Sequence, residues 1–116
     1  MAAVTVNASV PAWAQIIISA HNAVASGSVS HAMRMKSDRY FVWQEDDHND
    51  LKADNIHAER AVSGYTDLFT KREFDPWADS LGTAFDLAGI LWEKGGATYE
   101  PETGFFHHTW EWTVVG

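Results

Sequence analysis

Six histidines and 16 carboxylates are the residues of this chain that could hold a metal or move a proton. A metal site needs several such ligands converging on one ion at about 2.0–2.2 Å. His107 and His108 are adjacent within a predicted strand, so alternation sends their rings to opposite faces. His57 and Glu59 share a parity, but no HExxH or comparable spacing supplies a third ligand. There is no cysteine, which excludes thiolate chemistry, zinc–thiolate sites and disulfides together. No GxSxG turn marks a nucleophilic serine, and Gly95-Gly96 sits in neither a GxGxxG nor a P-loop pattern. The run Glu45-Asp46-Asp47-His48-Asn49-Asp50 holds four acids in six residues. Two of them could serve as acid and base, but such density reads as a solvated, self-repelling surface. The expectation is a protein with no catalytic residue, no cofactor and no metal, and not an enzyme.

The elements around these residues are legible from hydrophobic period. Residues 10 to 25 repeat at helical spacing (Trp13, Ile16, Ile17, Ala20, Val24), with Ser9 and Pro11 suited to the start and Gly27 to the end. From Ser28 to Lys36 the period becomes two, and Val29, His31, Met33 and Met35 share one side of a predicted strand. Ser37-Asp38 reads as a turn, and Arg39 to Gln44 as a second strand rich in aromatics and valine. A third strand runs from about Ile56 to Thr70, with Gly64 expected to interrupt it. Asp75 caps a second helix to Ala88 that has Pro76 in its first turn, Trp77, Leu81, Ala84, Phe85 and Ala88 on one face, and Gly89 closing it. Ile90 to Glu100 is a strand bent at Gly95-Gly96, residues 101–104 are a turn, and Phe105 to Val115 is the last strand. On that strand Phe106, His108, Trp110, Trp112 and Val114 share a face. Short connections favour antiparallel neighbours. The expected fold is one α+β domain over residues 1–116: a mostly antiparallel sheet of about five strands with two helices packed on one face.

Composition narrows the function classes. With 46% hydrophobic residues in a chain of 116, a single folded core is expected. The formal charge of −8 argues against gripping a nucleic-acid backbone, which requires a basic patch. No run of eighteen apolar residues suggests a membrane span. No basic residue precedes the apolar Ile16–Ile18, so a secretory signal is not expected. The first charged residue is Arg34, so all 24 acids and bases lie from there onward. An uncharged first helix implies burial on more than one side, in the core or against a partner chain.

Several short pieces follow one another in a fixed order: Ala53-Asp54-Asn55, the strand end Asp67-Leu68-Phe69-Thr70-Lys71, and the helix start Asp75-Pro76. Gly89-Ile90-Leu91-Trp92, Tyr99, Thr103-Gly104 and Trp110-Glu111-Trp112 come after them. In order and spacing they resemble the tail terminator, or tail completion, proteins of siphophages and related prophages. The resemblance spans roughly residues 40 to 114. It implies a virion structural protein, assembled in the host cytoplasm, that forms a homo-oligomeric ring, usually a hexamer. Such a ring caps the head-proximal end of the tail tube, ends tube polymerisation and offers a surface to the head-completion connector. The partners implied are other copies of the chain, the tube protein and the connector, with DNA passing through the lumen without specific binding. An acidic ring, each copy at −8, would repel passing DNA rather than hold it. The residues expected at interfaces are Trp13 and Ile17 of the first helix, Glu45, Asp46, Asp47 and Asp50 of the acidic segment, and Asp54 and Asn55 shortly beyond it. Alternative readings are another neck component, such as a head-closure or head–tail joining protein, and an acidic DNA-mimic binding protein.

Overall fold

A computed structural model describes residues 10–46 and 61–115. The elements in chain order are α1 (Ala12–Ala25), β1 (Val29–His31), β2 (Arg39–Glu45), β3 (Ala61–Thr70), α2 (Pro76–Leu87), β4 (Leu91–Glu100) and β5 (Phe105–Val115). The strands form one sheet in the order β1-β2-β3-β5-β4, antiparallel at every pairing except β1 with β2. This is the expected α+β architecture. Ser9, the 56–60 start expected for β3, the Ala53-Asp54-Asn55 piece, and the His57 and Glu59 pair lie outside the described residues.

Alternation along the sheet sorts its two faces. Phe41, Trp43, Leu68, Trp110, Trp112 and Val114 point one way and join Ile17 of α1 and Leu81 and Phe85 of α2 in the main core. On the other side, Tyr40, Val42 and Phe69 make a smaller cluster, partly covered by Met35 and Phe105. Both helices therefore lie on one face. The β5 register expected from sequence holds, with His108, Trp110, Trp112 and Val114 all buried.

Two expectations for the sheet are corrected. The strand expected over Ser28–Lys36 ends at His31, and it runs parallel to β2 rather than antiparallel to it. Ala32 adopts φ 65°, a left-handed conformation that breaks the strand, and its N–H bonds the Trp43 carbonyl at 2.8 Å. Residues 32–38 then turn back, and Met35 lands on the Tyr40–Phe69 cluster while Met33 stays 70% exposed. The second correction concerns Gly64, which pairs continuously between Glu45 and Trp112 and does not interrupt β3. A methyl group at that position would overlap the Trp112 ring and the Gln44 carbonyl, so glycine is what lets this indole lie flat on the strand.

The second helix is held as expected and more firmly. The Asp75 side chain caps it by accepting from Trp77 N–H at 2.9 Å. The same carboxylate accepts from Thr70 Oγ1 at 2.7 Å and is gripped by both arms of the Arg39 guanidinium. That guanidinium also lies over the Trp77 ring, 3.7 Å from its centroid. One buried carboxylate thus ties the ends of β2 and β3 to the start of α2. The bend at Gly95-Gly96 is a register shift in the β4–β5 ladder between Lys94 and Ala97.

Candidate interaction surface

Besides the Asp75 clamp, a short polar relay is buried under α1. Trp112 Nε1–H donates to Thr66 Oγ1 at 2.9 Å, the Thr66 hydroxyl donates to His21 Nε2 at 2.9 Å, and His21 Nδ1–H donates to the Ile17 carbonyl at 2.8 Å. Each donor has one acceptor only if His21 is neutral. Burial pushes the His21 pKa down to about 4, against a smaller opposing effect of the Ile17 hydrogen bond. His21 and Thr66 are fully buried, so the relay is structural and offers no substrate access. His108 contrasts with it. Among the described residues, neither of its ring nitrogens nor the Trp110 indole N–H has a hydrogen-bond partner. Burial, followed by the charge of Lys94, lowers the His108 pKa, with Asp75 opposing. His107 points to the opposite face, as alternation requires.

The open face of the sheet carries its charges in a row. His107 Nε2–H donates to Asp67 Oδ1 at 2.9 Å, and its Nδ1 lies 3.6 Å from a Glu100 oxygen. Thr109 also donates to Asp67, at 3.0 Å, and the His107 ring stacks on Phe69 with centroids 4.4 Å apart. Arg34 lies over the Phe69 ring at 4.1 Å. At this end Asp67 accepts two hydrogen bonds, and the imidazole that donates one of them is braced on an aromatic ring. Toward the other end, Tyr65 pairs with Glu111, and Glu111 pairs with Glu93. Here a shallow groove of about 360 Å³ opens, lined by Asp46, Ser63, Tyr65, Leu91, Glu93, Glu111 and Thr113 above Gly64, Trp92 and Trp112. Among the described residues no group of three or more histidines or carboxylates is placed to hold a metal ion.

The residues expected at interfaces are spread across this geometry. Ile17 is fully buried in the domain's own core and has no surface to offer. Trp13 is half-buried, edge-on to Trp43 with centroids 6.3 Å apart. Glu45 accepts from His31 Nε2–H at 2.8 Å, and His31 stacks on Trp43 at 4.1 Å. Burial would raise the Glu45 carboxyl, but the His31 hydrogen bond, a backbone hydrogen bond and the nearby His31 charge together outweigh it and hold the pKa below the usual value. Asp46 follows β2 at the mouth of the groove, its N–H bonded to the Ser63 carbonyl at 2.8 Å. Asp47, Asp50, Asp54 and Asn55 lie outside the described residues. Of the two burials expected for the uncharged α1, the one within the core covers a single side among the described residues. Ala12, Gln15, Ser19, Asn22 and Ala23 are exposed on the other.

Tyr65, Leu91, Glu93 and Glu111 do not stand out in the sequence as site residues. Their signal lies in the bulge: counted straight from the turn, where Glu100 faces Phe105, Glu93 would face Trp112. The extra residue at Gly95-Gly96 shifts the register by one and sets Trp92 against Trp112 and Glu93 against Glu111. A scan against protein-family models finds no match to the chain, and no curated protein sequence matches it.

Proposed function

We propose that the chain is a structural assembly protein of the tail-terminator type. In this reading copies of it form a ring on the head-proximal end of a phage tail tube, end tube growth and receive the head connector. The ordered pieces over residues 40 to 114 support the reading from the sequence side, and several of them are fold-determining positions: Asp75 caps and clamps α2, and Trp110 and Trp112 fill the core. The observation that carries it is the outer face of α1. That face exposes Ala12, Gln15, Ser19, Asn22 and Ala23, with no charge anywhere on the helix. A helix facing only water normally carries charge there. An uncharged face of small and amide side chains can pack against a second copy and leaves no ion to desolvate.

The test is a phage or prophage deleted for this gene, viewed by electron microscopy. Tails of uncontrolled length that fail to join heads are the expected result, and normal tails joined to heads would reject the reading. Complementation with Ser19→Lys should fail to restore tail length while leaving the purified protein's melting temperature within about 2 °C, since Ser19 is exposed.

A further inference from the structure

The groove at the β3–β5–β4 end sets two carboxylates side by side. Glu93 and Glu111 lie directly opposite each other on neighbouring strands, and such like-charge pairs destabilise a sheet. β3, β4 and β5 contain one lysine or arginine between them, Lys94. Its ammonium lies 5.3 Å from the centroid of Trp110, on the helix-covered face, and does not relieve the pair. A second observation concerns the backbone. β4 is the last strand of the sheet, so one edge of its ladder has no neighbour among the described strands. The bulge at Gly95-Gly96 interrupts that edge and leaves Leu91–Lys94 as the regular stretch beside the groove. Leu91 is 65% exposed and Tyr65 45% exposed, both facing the groove.

We propose that this end of the sheet binds an extended segment of a partner protein that carries lysine or arginine at alternate positions. The segment adds a strand to β4 at Leu91–Lys94, and its main chain supplies the hydrogen bonds. Its alternate side chains fall on the open face, where the apolar stems cover Leu91 and the charges meet Glu93 and Glu111. The complementarity is specific in sign: the groove repels nucleic acid and acidic peptides. The proposal is independent of the tail-tube reading, because it concerns the isolated domain and holds or fails without a ring.

The experiment is an NMR titration of the isotope-labelled protein with a short end-blocked peptide alternating lysine and valine. Two controls share its length: one alternates glutamate and valine, and one carries the same lysines among glycine and proline, which do not extend a sheet. Saturable amide shifts confined to residues 63–66, 91–94 and 110–113 are expected with the lysine–valine peptide alone. The paired substitution Glu93→Gln and Glu111→Gln should weaken that binding about tenfold or more. Raising salt to about 0.5 M should weaken it too. The proposal is overturned by shifts scattered over all acidic surfaces, by equal binding of the glycine–proline peptide, or by unchanged affinity in the double variant. Concentration-dependent shifts at the same residues without peptide would overturn it in favour of a second copy as the occupant.

Discussion

The two faces of the sheet manage polar groups by different rules. On the helix-covered face the relay from Trp112 through Thr66 and His21 to Ile17 satisfies each of its own donors and the Arg39–Asp75 clamp closes one end of the layer, while His108 and the Trp110 N–H are left without partners among the described residues. On the open face the charges are braced at one end, where His107 sits between Asp67 and Glu100. They oppose each other at the other end, where Glu93 faces Glu111. The covered face is thus organised for stability. The open face, at its groove end, pairs like charges instead, which is the pattern expected where a surface is kept for contact with something else. The two faces should therefore respond to substitution in opposite ways.

The largest effect belongs to the core. Phe85 is fully buried and packs edge-on to His21, with ring centroids 5.5 Å apart, and obliquely against Trp92. Phe85→Ala should lower stability by about 3–5 kcal/mol, read as a shift in urea midpoint. A loss under about 1 kcal/mol would mean the covered face is not the main core.

Next comes the clamp. Asp75→Asn keeps the cap oxygen but removes the charge that holds Arg39, and breaking such a pair costs about 3 kcal/mol when one partner is buried. Burial would raise the Asp75 carboxyl, but hydrogen bonds from Arg39, Thr70 and Trp77 N–H outweigh it and hold the pKa below 3.8. A depressed folded-state pKa gives stability that is complete above the unfolded value and lost as pH falls through the folded one. Urea titrations below pH 3.8 should show this slope in the parent protein and its loss in the variant.

The third test contrasts two buried histidines. His21 has a folded-state pKa of about 4 against an ordinary 6.5, so the unfolded chain binds its proton first as pH falls. Its contribution to stability is complete above pH 6.5, declines through that window and is lost by about pH 4, a total of about 3 kcal/mol. His21→Phe should flatten this slope but leave Thr66 short of an acceptor, lowering stability at neutral pH by about 1–3 kcal/mol. His108→Phe should be neutral or stabilising at pH 7, because it removes two buried nitrogens that have no partner. Equal losses in both variants would show that the difference in hydrogen bonding carries no energy.

How much of the molecule is legible in its sequence depends on the range of the interactions. The α2 boundaries are readable because Asp75, Pro76 and Gly89 act within a few residues of the helix. The alternation of β5 is readable because it meets one dense core along its whole length. The end of β1 is not, since it depends on Ala32 adopting a left-handed φ that glycine or asparagine would have announced. Nor is the parallel pairing, because the 32–38 segment that returns the chain to the start of β2 carries no glycine or proline to mark its path. Arg39 gripping Asp75 is a contact between residues 36 apart in sequence, beyond the reach of local spacing. The groove lies in between: the bulge is visible, but its effect on the register of Glu93 emerges only when the hairpin is counted through it.

The smallest effect is the most informative about the open face. Glu111 is exposed on β5, opposite Glu93 on one side and Tyr65 on the other. If the like-charge contact is a real cost, Glu111→Gln should raise stability by about 0.2–1 kcal/mol at low ionic strength. The gain should shrink as salt is added, since screening already relieves the repulsion in the parent protein. Glu93→Gln should do the same, and the double variant should gain less than the sum, because each single change already removes the one repulsive pair. Fully additive gains would mean that each glutamate is disfavoured by the net charge of −8 rather than by its neighbour. A loss of stability in either single variant would mean that the carboxylate accepts from a donor in the folded chain, and the groove would then belong with the braced end of the face.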